Sequence, residues 1–518
     1  MLMTGEEYRE SLRRLSPRVY VEGDEVASVA DEPRFAPGVA SLALTYDFAL
    51  DERHRHTMAA VEESTGAEVN RFLHINRSTT DQLHKLEAVR LVCQYTGCAQ
   101  RYLTQDGLNA IHQATWHIDQ ETGGTGGDLH ERFLAYLHRV QAEDLTLGVA
   151  MTDGKGDRSR RPHAQAVRDS YVHIARRRPD GIVIRGAKAI VTAAPYVHEY
   201  LVMPCRNMTE DDKDFAVCCA VPVDAAGITV VARPAGRPGE KAAAFSARYG
   251  QSTGVVIFDD VFVPWEHVFL AGEWEHSQFL TQAYATHHRH SCIGARAGFG
   301  DLLIGAGVLM AEANGLEVES TSHLRDRMVE LIKIVEGFYA CGVASSVYAR
   351  ADGSGCVEPD RVFANIGKLL LSTQIYDMHR IAHEVSGGLV VALPGPDEDH
   401  NPATAGSLSE MLKGRDDLPY GERMEVARLI EDLTASGTAG WYSVISLHGG
   451  GSPQATGLEI FRSYPIEDKV ALVEKLLDRG VLADESGAES RDRQPGRCCP
   501  IGCKEPEEAP APAKRIAN

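Results

Sequence analysis

The sequence predicts an α+β chain: a mainly helical segment, then a β-rich one, then a second helical one. Two observations carry this. Apolar residues recur at steps of three and four toward both ends, and short β-branched runs punctuated by glycine fill the middle. The order lacks the βαβ alternation of a doubly wound sheet. The expected divisions are 1–147 (mainly helical), 148–274 (β), 275–483 (helical bundle) and 484–518 (disordered tail).

In chain order, Arg18-Val19-Tyr20-Val21 before Glu22-Gly23 reads as a strand and turn. Leu83, Leu86, Val89 and Val92 then share a helical face, as do Leu129, Phe133, Leu137 and Val140. Strands are expected at Ile182–Ile184, Ile228–Val231 and Val255–Val263. A helix carrying Leu324, Met328, Leu331, Val335 and Phe338 follows a cap at Thr321 or Ser322. Val470, Val473 and Leu476 mark a last helix, stopped by Gly480. The residues beyond are rich in Pro, Gly and charge, so the tail should be disordered, its Cys498-Cys499-Pro500-Ile501-Gly502-Cys503 included.

The 518 residues carry a formal charge of −20, which argues against a nucleic-acid binder. No uninterrupted apolar run of about 18 residues suggests a membrane span, and the charged N-terminus is unlike a signal peptide. A cytoplasmic location is the expectation. The 11 cysteines are irregularly spaced and raise the question of a metal centre rather than of disulfides.

Neither a dinucleotide-binding GxGxxG after a strand nor a phosphate-binding GxxxxGK[ST] occurs. Three stretches could line a cofactor cleft. Met151-Thr152-Asp153-Gly154-Lys155-Gly156-Asp157-Arg158 offers donors, acceptors and a cation beside two glycines, or is a solvated turn. His448-Gly449-Gly450-Gly451-Ser452-Pro453 exposes amides, or is a flexible loop. Thr192 follows Gly186-Ala187-Lys188 at a strand end. In His287-His288-Arg289-His290-Ser291-Cys292, His287 and His290 share a helical face, as do His288 and Cys292. Without a further ligand at like spacing, acid–base or anion-binding roles are better supported than zinc. A basic surface helix is the plain alternative.

Together these stretches resemble the 4-hydroxyphenylacetate 3-hydroxylase / 4-hydroxybutyryl-CoA dehydratase family. The resemblance spans about residues 4–480. It runs through GEEYRESLR, RVYVEG, MTDGKGDR, RGAKAIVT, VIFDDVFVPWEHVFL, HHRHS, GFGDLLIGA, SGGLVVALP and LHGGGSPQA. It implies an acyl-CoA dehydrogenase-like fold: an N-terminal helical domain, a central β domain and a C-terminal four-helix bundle. It also implies a homotetramer binding FAD between the β domain and the bundle. The implied cofactor residues are Met151, Thr152, Asp153, Asp157, Arg158, Thr192, Gly387, Gly388, His448, Gly449, Gly450, Ser452 and Pro453.

The wording is nearest the dehydratase branch, whose [4Fe–4S] cluster is held by three cysteines and a histidine. These positions fall on Cys98, Tyr102, His288 and Ala295, so two ligands are missing and no cluster is expected. Cys93 and Cys292 are displaced from the ligand positions by several residues. That branch's active-site glutamates fall on Thr253 and Ile445, and its tyrosine on Cys292. Tyr102 instead matches a substrate-holding tyrosine of the monooxygenase branch, whose arginine and histidine fall on Cys98 and Val149. The implied catalytic residues are His288, Tyr102 and Arg289. Cys98, Tyr102, Cys292 and Arg296 are implied to line the substrate. The first expectation is a two-component monooxygenase that hydroxylates a phenolic or related aromatic substrate, with reduced FAD supplied by a separate flavin reductase. The alternative is a cluster-free acyl-CoA dehydratase or isomerase.

Overall fold

Several helices begin where the sequence supplies a cap. The computed structural model describes residues 2–123 and 128–477. Helix α1 (Gly5–Arg13) is closed by a capping box between Thr4 and Glu7. It packs on α2 (Ala36–Leu50), which α3 (Arg55–Met58) follows. The strand read at Arg18–Val21 is β1 (Val19–Val21), turning into β2 (Asp24–Glu25). A hairpin, β3 (Ala59–Val61) and β4 (Glu68–Asn70), precedes α4 (Thr79–Thr96), α5 (Tyr102–Thr122) and α6 (Leu129–Ala142). Ser78 caps α4, and Gly97, in the left-handed conformation, ends it.

The β-rich centre holds β5 (Leu147–Ala150), β6 (His173–Arg178), β7 (Gly181–Thr192), β8 (Glu199–Val202), β9 (Val217–Pro222), β10 (Ile228–Ala232), β11 (Thr253–Pro264) and β12 (Val268–Ala271). They form a six-stranded sheet in the order β2-β1-β10-β11-β7-β6 and a four-stranded sheet in the order β12-β9-β8-β5. The run Ile182–Ile184 is a buried part of the longer β7, whereas in β10 and β11 buried residues alternate with exposed ones. β7 and β11 each extend to 12 residues, pair antiparallel and align Thr192 with Thr253.

The second helical region contains α7 (Ser277–Ala313), α8 (Ser322–Val347), α9 (Arg361–Ser386), α10 (Ala405–Met411), α11 (Tyr420–Thr434), α12 (Gly437–His448) and α13 (Pro453–Ser463). Helices α7, α8, α9 and α11 pack around one apolar cluster that includes Ile293, Phe299, Leu331, Val335, Ile375, Met378 and Ile430. Thr321 is the α8 cap residue, although its side chain makes no capping bond. These elements lie in one compact unit, 1–464. A second unit, 465–518, contains α14 (Ile466–Leu476), which carries Val470, Val473 and Leu476. The expected Gly480 stop, the disordered tail and its three cysteines lie outside the described residues.

The 37-residue α7 bears on two readings of the sequence. The histidine-rich stretch is not a basic surface helix: His287, His288, Arg289 and His290 are all buried. The stretch Trp274–Ala313 contains an 18-residue segment of mean hydropathy 1.4, long and apolar enough to cross a membrane. Yet 67% of that segment is buried inside the protein, as befits a core helix.

The glycine cluster in GARAGFG lies within α7 and serves helix packing. A Cβ on Gly294 would lie 2.7 Å from the Leu86 carbonyl oxygen. One on Gly298 would lie 2.3 Å from the Arg90 carbonyl oxygen and 2.8 Å from Cys93 Cβ. Small residues four apart thus bring α4 against α7, at a spacing no larger side chain allows. Gly298→Ala is expected to destabilise the fold by about 1–3 kcal/mol, read from the urea midpoint. It should also lower activity, because α4 carries Lys85 into the site.

Candidate active site

The site is assembled from α4, α5, α7, α9 and the glycine loop after α12. On α5, Tyr102 and Asp106 share a face at i, i+4. On α7, His288 and Cys292 do the same. Where these faces meet α4, they form a buried chain of charges. Lys85 Nζ donates to Asp106 Oδ1 at 2.6 Å, and both side chains are fully buried. Asp106 Oδ2 lies 3.2 Å from His288 Nδ1, and His288 Nε2 lies 3.6 Å from Cys292 Sγ. The Ser291 hydroxyl donates to Asp106 Oδ1 at 2.8 Å. The His288 ring is stacked between Tyr284 and Tyr102, at centroid distances of 5.5 and 6.1 Å.

Electrostatics along this chain alternate in sign. Burial would raise the Asp106 carboxyl, but the Lys85 ammonium and His288 outweigh it and hold it at about 2. Burial would lower His288, but Cys292 and Asp106 bring it up to about 9. Burial would raise the Cys292 thiol, yet His288, then Lys368 and Arg296, bring it below its usual value. A positive imidazole thus faces a negatively biased thiol, and pairs of groups driven apart in this way mark acid–base sites. Lys85 and Asp106 were not singled out from the sequence. The signals were present: Lys85 sits among the apolar positions of α4, and Asp106 lies one turn after Tyr102.

Of the expected catalytic residues, Tyr102 and His288 are thus brought together. Arg289 has a different setting. Its Nε donates to the Gly450 carbonyl at 2.8 Å and its Nη1 to Asn365 at 2.7 Å, which ties the glycine loop to α7 and α9. The expected substrate-lining residues converge on Arg296. Its buried guanidinium faces Cys98, Tyr102, Cys93 and Cys292, and its Nη1 has no partner among the described residues. Lys368, brought down to about 8 mainly by burial, donates to the Ser446 carbonyl at 2.7 Å. The remaining histidines of the cluster hold structure: His287 bonds Gln113 and His290 bonds Ser346, at 2.9 and 2.8 Å. A cavity of about 330 Å³ lined by Arg77, His112, Trp116 and His130 shares no residue with this site.

The expected cofactor residues fall into three groups. In the first, Met151 and Thr152 are half-buried at the end of β5, and the Thr152 carbonyl accepts from Ala189 of β7, three residues before Thr192. Asp153, however, is buried against Lys188 at 2.8 Å and accepts from Val172 N–H, so its carboxylate braces β5 against β7. Asp157 closes a turn onto Ser159, and Arg158 is exposed. The second group is the loop after α12. Ser452 caps α13, with Pro453 in its first turn, and the His448 carbonyl accepts from Gly451 N–H. Gly449 to Gly451 form a cradle. Gly450 has φ +73, and a Cβ there would lie 3.2 Å from His288 Cδ2 and 3.3 Å from Arg289 Cγ. Gly450→Ala is therefore expected to strain the loop by about 1–3 kcal/mol and to weaken substrate binding, read as a raised KM. The third group, Gly387 and Gly388, ends α9 in the left-handed conformation. It lies 19 residues beyond Lys368, about 28 Å along the helix at 1.5 Å per residue.

The two implied groups fare differently. Thr152 and Thr192 hydroxyls, the Arg158 cation and the glycine cradle suit the polar edge and phosphates of a flavin nucleotide. A [4Fe–4S] cluster does not fit these residues. At the positions that the resemblance assigns to cluster ligands stand Tyr102 and Ala295, which offer no thiolate, and the buried Arg296 cation lies near Cys98, Cys93 and Cys292. Among the described residues no three His, Cys, Asp or Glu side chains are grouped to hold a metal ion.

Comparison with known proteins places this arrangement. The family model "4-hydroxyphenylacetate 3-hydroxylase N terminal" matches residues 4–270, and its C-terminal counterpart matches 277–478. The 4-hydroxybutyryl-CoA dehydratase/vinylacetyl-CoA-Delta-isomerase of Clostridium aminobutyricum is 35% identical over 499 residues, 92% of this chain and 99% of that one. The 4-hydroxyphenylacetate 3-monooxygenase oxygenase component of Thermus thermophilus is 27% identical over 444 residues, 84% of this chain and 89% of the relative. Among solved structures, an oxygen-tolerant archaeal 4-hydroxybutyryl-CoA dehydratase from N. maritimus superposes with TM-score 0.89 at 35% identity, over 95% of this chain and 98% of that one. A 4-hydroxyphenylacetate 3-monooxygenase oxygenase component complexed with FAD superposes with TM-score 0.82 at 24% identity, over 92% and 98%. The fold is that of the acyl-CoA dehydrogenase-like flavoproteins, and the chain belongs to the 4-hydroxyphenylacetate 3-hydroxylase family.

Proposed function

We propose that this chain is an FAD-dependent enzyme that moves a proton along an acyl thioester without an iron–sulfur cluster. This corresponds to the Δ-isomerase half of the activity named for the Clostridium relative. The observation that carries the reading is the buried sequence Lys85, Asp106, His288, Cys292, with its alternating charge bias. FAD, when bound at Thr152, Thr192, Arg158 and the Gly449–Gly451 amides, supplies an electron acceptor beside the thioester. His288 holds the transferable proton at Nε2, because its Nδ1 is committed to Asp106. Tyr102 and Tyr284 fix the ring and exclude water. Arg296 stabilises negative charge that develops on the substrate oxygen. A homotetramer belongs to the proposal, in which a neighbouring chain brings its Gly387–Gly388 turn to the cofactor.

Hydroxylation of a phenol, with a flavin reductase as partner, is the second reading. Tyr102 favours it, as do relatives named as monooxygenase oxygenase components. Cys292 weighs against it, since a thiol of lowered pKa in the reaction pocket is itself consumed by a two-electron oxidant. The two readings separate in one assay. FAD-loaded protein given vinylacetyl-CoA in D2O is expected to form the conjugated 2-enoyl thioester with deuterium in its methyl group. No such product, together with hydroxylation of 4-hydroxyphenylacetate when reduced FAD and oxygen are supplied, would establish the second reading.

A further inference from the structure

We propose that Cys292 is a nucleophile, activated by His288 and aligned by Asp106, that adds to the β-carbon of an α,β-unsaturated acyl thioester. The choice of a thioester rests on the function proposed above; the triad itself does not. The arrangement is that of an activated thiol: nucleophile, base and base-orienting carboxylate in line, at 3.6 and 3.2 Å. Three features hold it. Cys292 and His288 are one turn apart on α7, so their separation is set by the helix. The imidazole is clamped between Tyr102 and Tyr284. The second oxygen of Asp106 is taken by Lys85 and Ser291, which leaves Oδ2 for His288.

Cys292 differs from every other described cysteine. Burial pushes up the thiols of Cys93 (to about 11), Cys98, Cys205, Cys218, Cys219, Cys341 and Cys356, and only Cys292 moves the other way. It also keeps 9% of its surface exposed, and His288 keeps 8%, beside the Gly450 cradle. For the addition to occur, a small electrophile must reach this thiol past the Gly450 cradle.

In the addition, a sulfur lone pair forms the S–Cβ bond while the C=C π pair moves to the α-carbon. The His288 Nε2 proton then passes to that carbon. No net electron transfer occurs, and the reverse step, with His288 retaking the proton, releases the acceptor.

Acrylamide, a small conjugate acceptor, tests this on the intact FAD-loaded protein by peptide mass spectrometry. Cys292 is expected to be alkylated at least about tenfold faster than Cys205 and Cys341, the two described cysteines that are half-buried rather than buried. His288→Gln, checked for retained FAD, should slow Cys292 on the order of 100-fold. Labelling of wild-type Cys292 no faster than Cys205 and Cys341 overturns the inference, even if no variant folds. An unchanged rate in His288→Gln does so too. If the thioester reading alone fails, vinylacetyl-CoA is not turned over while the selective labelling persists. If the nucleophile alone fails, turnover remains and the selectivity is absent.

Discussion

Asp106→Asn is expected to lower stability by about 3–5 kcal/mol, the usual result of removing one member of a buried ion pair. The replaced carboxylate serves Lys85, His288 and Ser291 at once, and it is fully buried. Asparagine keeps the shape but leaves the Lys85 ammonium buried without its counter-charge. The pH dependence gives a second signature. Because the folded-state carboxyl is held at about 2, below the ordinary carboxylate value near 3.9, its contribution is present above about pH 4. It is lost as the pH falls toward 2. The difference between wild type and Asp106→Asn in urea midpoint should therefore be full at pH 6 and shrink below pH 4. A difference that does not change with pH would mean that Asp106 acts by shape alone.

His288→Gln is expected to reduce turnover by about 10²–10⁴-fold, the range for loss of a positioned acid–base group, with fold and FAD content kept. Glutamine can still meet Asp106, so the variant separates proton transfer from packing. In the wild type the proton on His288 is held up to about 9, so activity that depends on it should fall as the pH rises through that value. In the variant that alkaline limb should vanish. The same charge stabilises the fold below the ordinary histidine value near 6.5, an effect lost as the pH climbs through about 9.

The sequence discloses the order of the chain well, because period and punctuation are local. The Val19–Val21 strand, the β-rich centre and the long helices appear where apolar spacing places them. What it obscures is burial. The run His287–His290 is polar, which leaves a surface helix as the plain alternative to an acid–base role, yet each side chain finds a partner from a distant segment: Gln113, Asp106, Asn365 and Ser346. The same distance hides Lys85 and Asp106, which meet His288 only after α4 and α5 dock on α7. The packing role of the GARAGFG glycines is not legible in the sequence, because a contact between helices leaves no local trace. Motif matching also overstates Asp153, whose carboxylate is committed to Lys188.

Iron and acid-labile sulfide, measured on anaerobically isolated protein while it turns over vinylacetyl-CoA, test the central claim most directly. A proton-transfer enzyme built on His288, Asp106 and Cys292 predicts full turnover with iron far below one atom per subunit. Iron near four per subunit, with turnover falling as iron is removed, would contradict it.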